Sequence, residues 1–446
     1  MNAKPVKKQK SANRPRPVSG YPEWLPEFRA VEQKWMDKIR RVFESYGFCS
    51  IETPSVEELD VLLAKGETDK EIYTLTRLQA DENDTSDARL GLHFDLTVPL
   101  ARYTAQHFNE LTFPFKRYQM QKSWRGERPQ KGRYREFYQC DIDVINIDNL
   151  PLHFDAEIPS AMFEAFQALD IGDVQLRLSN RKILMGYLTG LGVQDITTAT
   201  RILDKFDKIG AEGVIEQLTT VANLDIETAK KSLALAEIKA EDSSFVAAVQ
   251  ALSVSDPLLQ SGLEELQYVV DNLTHLPKGA VMVDLSIVRG FDYYTGTVLE
   301  AYLKDNPKLG AVGAGGRYDD LAGSFINKKL PGIGVSIGLT RLFSALYEEG
   351  KIKPSRKCPT EILVVLPSDD QRKTAMETAV SLRKRGYNVE LFHAPIKLKR
   401  QLSYAEKKGI SYVWFPPFKE GQAHEVKNMT TSEQTDTSVD SWQPAE

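Results

Sequence analysis

Arginine is the side chain best suited to a two-pronged grip on carboxylate or phosphate, and one short stretch of this chain concentrates it. Between Phe115 and Arg135 there are eight Lys or Arg against the single acid Glu127. Phe115 to Arg125 and Arg133 to Ile145 both alternate with period two and flank Gly126-Glu-Arg-Pro-Gln-Lys-Gly132, which predicts an antiparallel hairpin. Alternate side chains share a face. That face would carry Arg117, Gln119, Gln121, Ser123 and Arg125 on the first strand, and Arg133, Arg135, Gln139, Asp141 and Asp143 on the second. So polar a face needs water or a polar ligand, because unpaired buried charge is costly. A plain amphipathic sheet is the alternative; the arginines favour a phosphorylated or carboxylate substrate.

Val288-Arg-Gly-Phe-Asp-Tyr-Tyr-Thr295 sets Arg289 beside a glycine that permits close backbone approach. A buried Arg289–Asp292 pair accounts for the segment as well as a functional arginine does. Gly310-Ala-Val-Gly-Ala-Gly-Gly316 lacks the Gly-Lys-Ser/Thr ending of a phosphate loop, so close packing of bare backbone on a ligand is the better account. The histidines at 93, 107, 153, 275, 393 and 424 show no metal-ligand spacing, and no Gly-x-Ser-x-Gly elbow appears. Neither zinc chemistry nor a serine nucleophile is supported. Cys49, Cys140 and Cys358 are far apart and read as reduced, structural thiols.

Elements to position these residues are legible around them. Phe28, Val31, Trp35, Ile39, Val42, Phe43 and Tyr46 recur at helical spacing and stop before Gly47. Phe48 to Ile51 and Leu90 to Phe94 read as strands, with a polar loop at 81–87 between them. From 192 to 272 the text turns helix-forming and resembles an insertion. Strand text returns at Val281 to Ser286 and Thr295 to Tyr302. After a linker at 351–359, Glu361 to Leu366, Val389 to Phe392 and Tyr412 to Phe415 are strands separated by two helices, a small α/β domain. Residues from about Gly421 are poor in apolar side chains, so disorder is expected there, as it is in the basic, proline-bearing tail at 1–20.

A chain of 446 residues exceeds one core and calls for two or three domains, and 41% hydrophobic with 27% charged residues is ordinary globular usage. No apolar run approaches the roughly 20 residues of a membrane helix, and no apolar signal core follows the basic start. The expectation is a cytoplasmic protein without a membrane partner. The net charge of −5 argues against a nucleic-acid partner only if charge is spread evenly. It is not: besides the hairpin, ten bases face Glu377, Glu390 and Glu406 between Gln371 and Gly409.

Taken together, three segments resemble the signature regions of class II aminoacyl-tRNA synthetases, and of the histidyl-tRNA synthetase family in particular. Trp124-Arg-Gly-Glu-Arg-Pro-Gln-Lys-Gly-Arg-Tyr-Arg135 is similar to the second class motif, and Gly332-Ile-Gly-Val-Ser-Ile-Gly-Leu-Thr-Arg341 to the third. Val288 to Tyr294 is similar to the histidine-specific segment, and the helix ending at Gly47, followed by Pro54, takes the place of the first motif. The resemblance runs from about Gly20 to about Phe418. It implies an α+β catalytic domain over 21–350, an antiparallel sheet flanked by helices and interrupted by the 192–272 helical insertion, and a C-terminal α/β anticodon-binding domain over 360–446.

The activity implied is ATP-dependent ligation of L-histidine to the 3′ end of tRNA(His) through histidyl-adenylate, with Mg²⁺ shielding phosphates, in a homodimer. By the same resemblance Arg289 and Arg125 are catalytic. Asp95, Thr97, Arg125, Gln139, Asp143, Arg289, Tyr293 and Tyr294 bind histidine, and Arg125, Glu127, Arg133 and Arg341 bind ATP. Gln130 and Arg135 touch tRNA, and no resident metal site is implied. His93 stands where the family usually has Arg, which leaves its role open. A synthetase-like regulatory subunit of ATP phosphoribosyltransferase is the rival; such subunits typically lack the anticodon-binding domain.

Overall fold

Trp35, Ile39 and Phe43 lie four residues apart, so they fall on one side of a helix. That helix, α1 (Pro26–Ser45), buries all three. Trp35 meets Phe343 edge-on at 5.2 Å, and Phe43 packs on Tyr118 at 6.2 Å. The computed structural model describes residues 15–63, 71–77, 89–130, 132–287, 294–319, 322–323 and 325–444. The loop at 81–87 and most of the basic tail lie outside these residues. The tail's last part is a correction: Gly20 is tied in, its carbonyl accepting from Arg135 N at 2.8 Å.

After Gly47 the chain runs through β1 (Cys49–Ser50), β2 (Val56–Glu58), the short α2 (Leu59–Leu62), β3 (Leu90–Leu92) and α3 (Thr97–Gln106). The alternating text then forms the hairpin, β4 (Phe115–Trp124) and β5 (Glu136–Ile145), in antiparallel register from Phe115 opposite Ile145 to Trp124 opposite Glu136. The second strand starts three residues later than the alternation at Arg133 suggests. Arg133 is instead held in the loop, where Gln130 and Arg133 exchange backbone hydrogen bonds and Gly132 takes a φ of +73° that side chains resist.

Helix α4 (Phe154–Leu169) and β6 (Val174–Asn180) follow. A helical stretch then begins with α5 (Arg181–Gly190) and α6 (Ile196–Leu203) and continues through α7 (Phe206–Thr220) and α8 (Ile226–Ala236). After the two-residue β7 (Lys239–Ala240) it ends with α9 (Phe245–Gln250) and α10 (Pro257–Asp271). Asp195, Asp225 and Asp256 each cap a helix start by accepting backbone N–H bonds. The chain returns through β8 (Val281–Asp284), β9 (Thr297–Leu303), β10 (Gly313–Tyr318), β11 (Gly332–Gly338) and α11 (Leu339–Glu348). Nine strands form one sheet in the order β1-β4-β5-β11-β10-β9-β6-β8-β7, antiparallel except at β1–β4 and β6–β8. From Gly313 the glycine-rich run is an interior strand.

The remaining elements are β12 (Ile362–Val364), α12 (Arg372–Lys384), β13 (Val389–Leu391), α13 (Leu398–Lys408), β14 (Tyr412–Phe415), β15 (His424–Asn428) and β16 (Gln434–Thr437). They make a second, mixed sheet, β13-β12-β14-β15-β16, over a core of Leu363, Val365, Leu382, Val413 and Trp414. The expected disorder beyond Gly421 is wrong. Trp442 packs on Tyr412, Trp414 and Tyr387 with ring centroids 5.0–5.4 Å apart, and Arg385 Nη2 donates to its carbonyl at 2.6 Å. A few anchors hold an otherwise polar ending. The chain separates into two compact units, residues 1–23 with 35–351 and residues 24–34 with 352–446. Among the described residues no helix is long and apolar enough to cross a membrane.

Candidate active site

A cavity of about 350 Å³ opens on the polar face of the nine-stranded sheet. The register brings Gln139, Asp141 and Asp143 of β5 opposite Gly338, Ser336 and Gly334 of β11, and Ala314 of β10, opposite Ser336, completes the floor. The glycines are a spatial requirement. A Cβ on Gly334 would collide with the Asp143 carboxylate, and one on Gly316 would lie 2.9 Å from the Tyr294 ring.

Nine residues given a catalytic or binding role from the sequence line this one cavity: Asp95, Thr97, Arg125, Glu127, Arg133, Gln139, Asp143, Tyr294 and Arg341. Gln130 and Arg135 do not; Gln130 is exposed at the loop tip, and Arg135 Nε donates to the Glu127 carbonyl at 3.2 Å. Arg289 and Tyr293 lie outside the described residues.

At the carboxylate end, Asp143 is buried and gripped from two sides. Arg117 of β4, opposite it in register, pairs with it at 2.6 Å, and the Tyr318 hydroxyl donates to it at 2.9 Å. Burial pushes its pKa up to about 6 against the pull of Arg117 and Tyr318, with repulsion from Asp95 adding to the rise. Asp95 precedes α3 and accepts from Val98 N at 3.0 Å, holding the helix start. Its carboxyl is raised too, by burial, while Val98 N and Arg125 pull it down.

The expectation that the whole hairpin face meets a ligand needs correcting. Arg117, Gln119, Gln121 and Ser123 are buried but do not line the cavity. Gln119 Nε2 donates to Thr53 Oγ1 at 2.9 Å, and Gln121 Nε2 to the Thr53 carbonyl at 2.7 Å. Gln119 and Gln121 are thus satisfied by their own neighbours. Tyr318 and Ser336 are lining residues that pattern reasoning passed over. Both share parity with glycines in their strands, a signal visible only once those runs are read as strands.

At the arginine end, Arg125 Nε donates to the Phe94 carbonyl at 3.0 Å, and its guanidinium lies 5.1 Å from the centre of the Phe137 ring. Arg133 pairs with Glu127 at 2.8 Å. Arg341 sits in the first turn of α11, where helix N–H groups favour anions, and donates to the Leu309 carbonyl. Thr340 Oγ1 ties that turn to β5 by accepting from Tyr138 N at 2.8 Å. His93 is structural: buried, it places its ring nitrogens 3.1 and 2.7 Å from the carbonyls of Pro54 and Lys122, and lies 5.4 Å from the Trp124 ring. It fastens the strand that leads to Asp95.

One face therefore offers carboxylates for a cation and arginines for anions within a single cavity. The family model described as histidyl-tRNA synthetase matches residues 20–342, which spans every element of that cavity. The chain belongs to the histidyl-tRNA synthetase family. The anticodon binding domain model matches residues 361–442, the second sheet and its helices. A histidine--tRNA ligase of Thermobifida fusca (strain YX) is 58% identical over 96% of this chain and 98% of its own. One of Micrococcus luteus is 45% identical, covering 96% of each chain. The crystal structure of histidyl-tRNA synthetase from Nostoc sp. PCC 7120 superposes with a TM-score of 0.84 at 35% identity, covering 97% of this chain and 98% of that one. The match of the anticodon domain removes the main feature expected of a regulatory subunit.

Proposed function

We propose that this protein joins L-histidine to the 3′ end of tRNA(His) in two steps, first making histidyl-adenylate from histidine and ATP. The observation that carries the proposal is the convergence in one cavity of carboxylates from β5 and the α3 start with arginines from the hairpin loop and the α11 start. A histidine carboxylate oxygen attacks the α-phosphorus of ATP as the bond to pyrophosphate breaks, so the protein supplies position and charge rather than a nucleophile. Arg125 spans the α-phosphate and the histidine carboxylate. Glu127 meets the adenine, and Arg133 and Arg341 hold the outer phosphates. Arg289, outside the described residues, neutralises charge on the α-phosphate.

Neutral imidazole has one N–H donor and one bare nitrogen. Asp143 accepts from the first and Tyr294 serves the second, with Tyr293 beside it, while Asp95, Thr97 and Gln139 take the α-amino end. Among the described residues no group of three or more His, Cys, Asp or Glu side chains could hold a metal. Mg²⁺ would come bound to the nucleotide phosphates and would shield their charge. Gln130 and Arg135 contact tRNA in the second step, in which a terminal ribose hydroxyl takes the histidyl group. The site of action is the cytoplasm. The enzyme is a homodimer built through the first-motif region, where Cys49 and Ser50 are exposed on the edge strand β1.

Aminoacylation with purified chain, ATP, histidine and tRNA(His) tests the reading. Histidine is expected at the 3′ end of tRNA(His) and not on a tRNA of another specificity; no charging by folded protein contradicts it.

A further inference from the structure

Asp141 sits between Gln139 and Asp143 on one face of β5, is 2% exposed, and lines the cavity. Its surroundings do not use it up. Arg117, the cation on β4, is committed to Asp143 at 2.6 Å, and Gln119, opposite Asp141 in register, is committed to Thr53 and Gln121. From β11, Ser336 bonds to the Asp141 carboxylate, and the same hydroxyl accepts from Gln139 Nε2 at 2.7 Å. Among the described residues, Asp141 Oδ1 and Gln139 Oε1 remain buried with no hydrogen-bond partner. Buried acceptors in that state are rare and point to a missing donor.

An ammonium group carries three N–H donors and no acceptor. The cavity presents three acceptors that suit it: Asp141 Oδ1, Gln139 Oε1 and the Asp95 carboxylate, which lies near enough for Asp95 and Asp141 to repel each other. We infer that Asp141 is itself a histidine-binding residue, the carboxylate that receives the substrate's α-ammonium together with Asp95 and Gln139. The inference rests on the histidine reading above and adds a residue to it. Burial pushes the Asp141 carboxyl up to about 7; Arg117 and Ser336 oppose the rise, and Asp143 and Asp95 add to it. Near neutrality the empty site therefore holds a proton on Asp141 for much of the time. The arriving ammonium favours the carboxylate, so that proton leaves to solvent as the ion pair forms.

Isothermal titration calorimetry of the full chain near pH 7, in buffers of different ionisation enthalpy, counts protons exchanged on binding. Histidine, histidinol and imidazolepropionate share the imidazole, and only the last lacks the amine. Once the proton given up by each ligand's own imidazole, titrated on the free ligand, is subtracted, the unmutated protein is expected to release more proton with histidine and histidinol than with imidazolepropionate. Asp141→Asn is expected to bind the two amines about tenfold more weakly, to keep its affinity for imidazolepropionate, and to lose the extra release. Equal weakening toward all three ligands overturns the inference. So does proton release by the unmutated protein that, with each ligand's own imidazole proton subtracted, is no larger with histidine than with imidazolepropionate, a comparison that needs no variant to fold. Failure of the unmutated protein to bind histidine at all would instead overturn the ligase reading.

Discussion

Asp143 and Arg117 show how one residue's chemistry depends on a partner the cavity never sees. The pair is buried, at 2.6 Å, and Arg117 is fully enclosed. Removing one member of a buried pair leaves the other charge uncompensated. Arg117→Met is expected to lower unfolding free energy by about 3–5 kcal/mol, read by urea denaturation, and to raise KM for histidine. The buried acids also set a pH dependence. Asp143 and Asp141 rise from 3.8 to about 6 and about 7, so the folded protein holds protons the unfolded chain has already lost. Their contribution to stability is full below the unfolded value and is lost as pH rises through the folded ones. Stability of the ligand-free protein attributable to them therefore falls across that window, and Asp141→Asn should flatten its upper part in denaturation series. The alternation of the hairpin told which side chains share a face. It could not tell that Thr53, from a distant segment, covers Gln119 and Gln121, so which part of that face meets the cavity was beyond it.

Glycine is a poor strand former, yet β10 and β11 carry it where the cavity floor needs bare backbone. That conflict hid β10, to which the sequence pattern assigns no element, and packing explains its glycines: a Cβ on Gly316 would meet Tyr294 and one on Gly313 would meet Met162. Gly334→Ala is expected to cut kcat/KM for histidine roughly 10- to 100-fold, the size of an overpacking strain of about 1–3 kcal/mol, while KM for ATP changes little. Unchanged histidine kinetics would show that the floor has room to give. Elements with strong periodicity were plain beforehand: α1 from its four-residue apolar spacing, and the hairpin from its alternation. Strands β15 and β16 were not, because they are largely polar and are held by distant anchors such as Trp414 and Trp442. Trp442→Ala, which removes the main one, should destabilise the second unit by about 3 kcal/mol, seen as an earlier transition in tryptophan fluorescence.

At the scale of the molecule, every residue lining the cavity belongs to the first compact unit, and the anticodon-domain match belongs to the second. Amino-acid activation and tRNA reading are then separable tasks, and Trp442→Ala should reduce charging of tRNA while sparing adenylate formation. A separate C-terminal α/β domain was legible in the sequence, since strand and helix text resumes after residues 351–359. The grouping of residues 24–34 with the second unit was not, because α1 is continuous in periodicity across that division. The central claim is that the cavity activates histidine, and amino-acid-dependent exchange of pyrophosphate into ATP measures this without tRNA. Tested against all twenty amino acids, the purified protein is expected to support exchange with histidine alone; no exchange by folded protein, or exchange driven by another amino acid, would contradict the account.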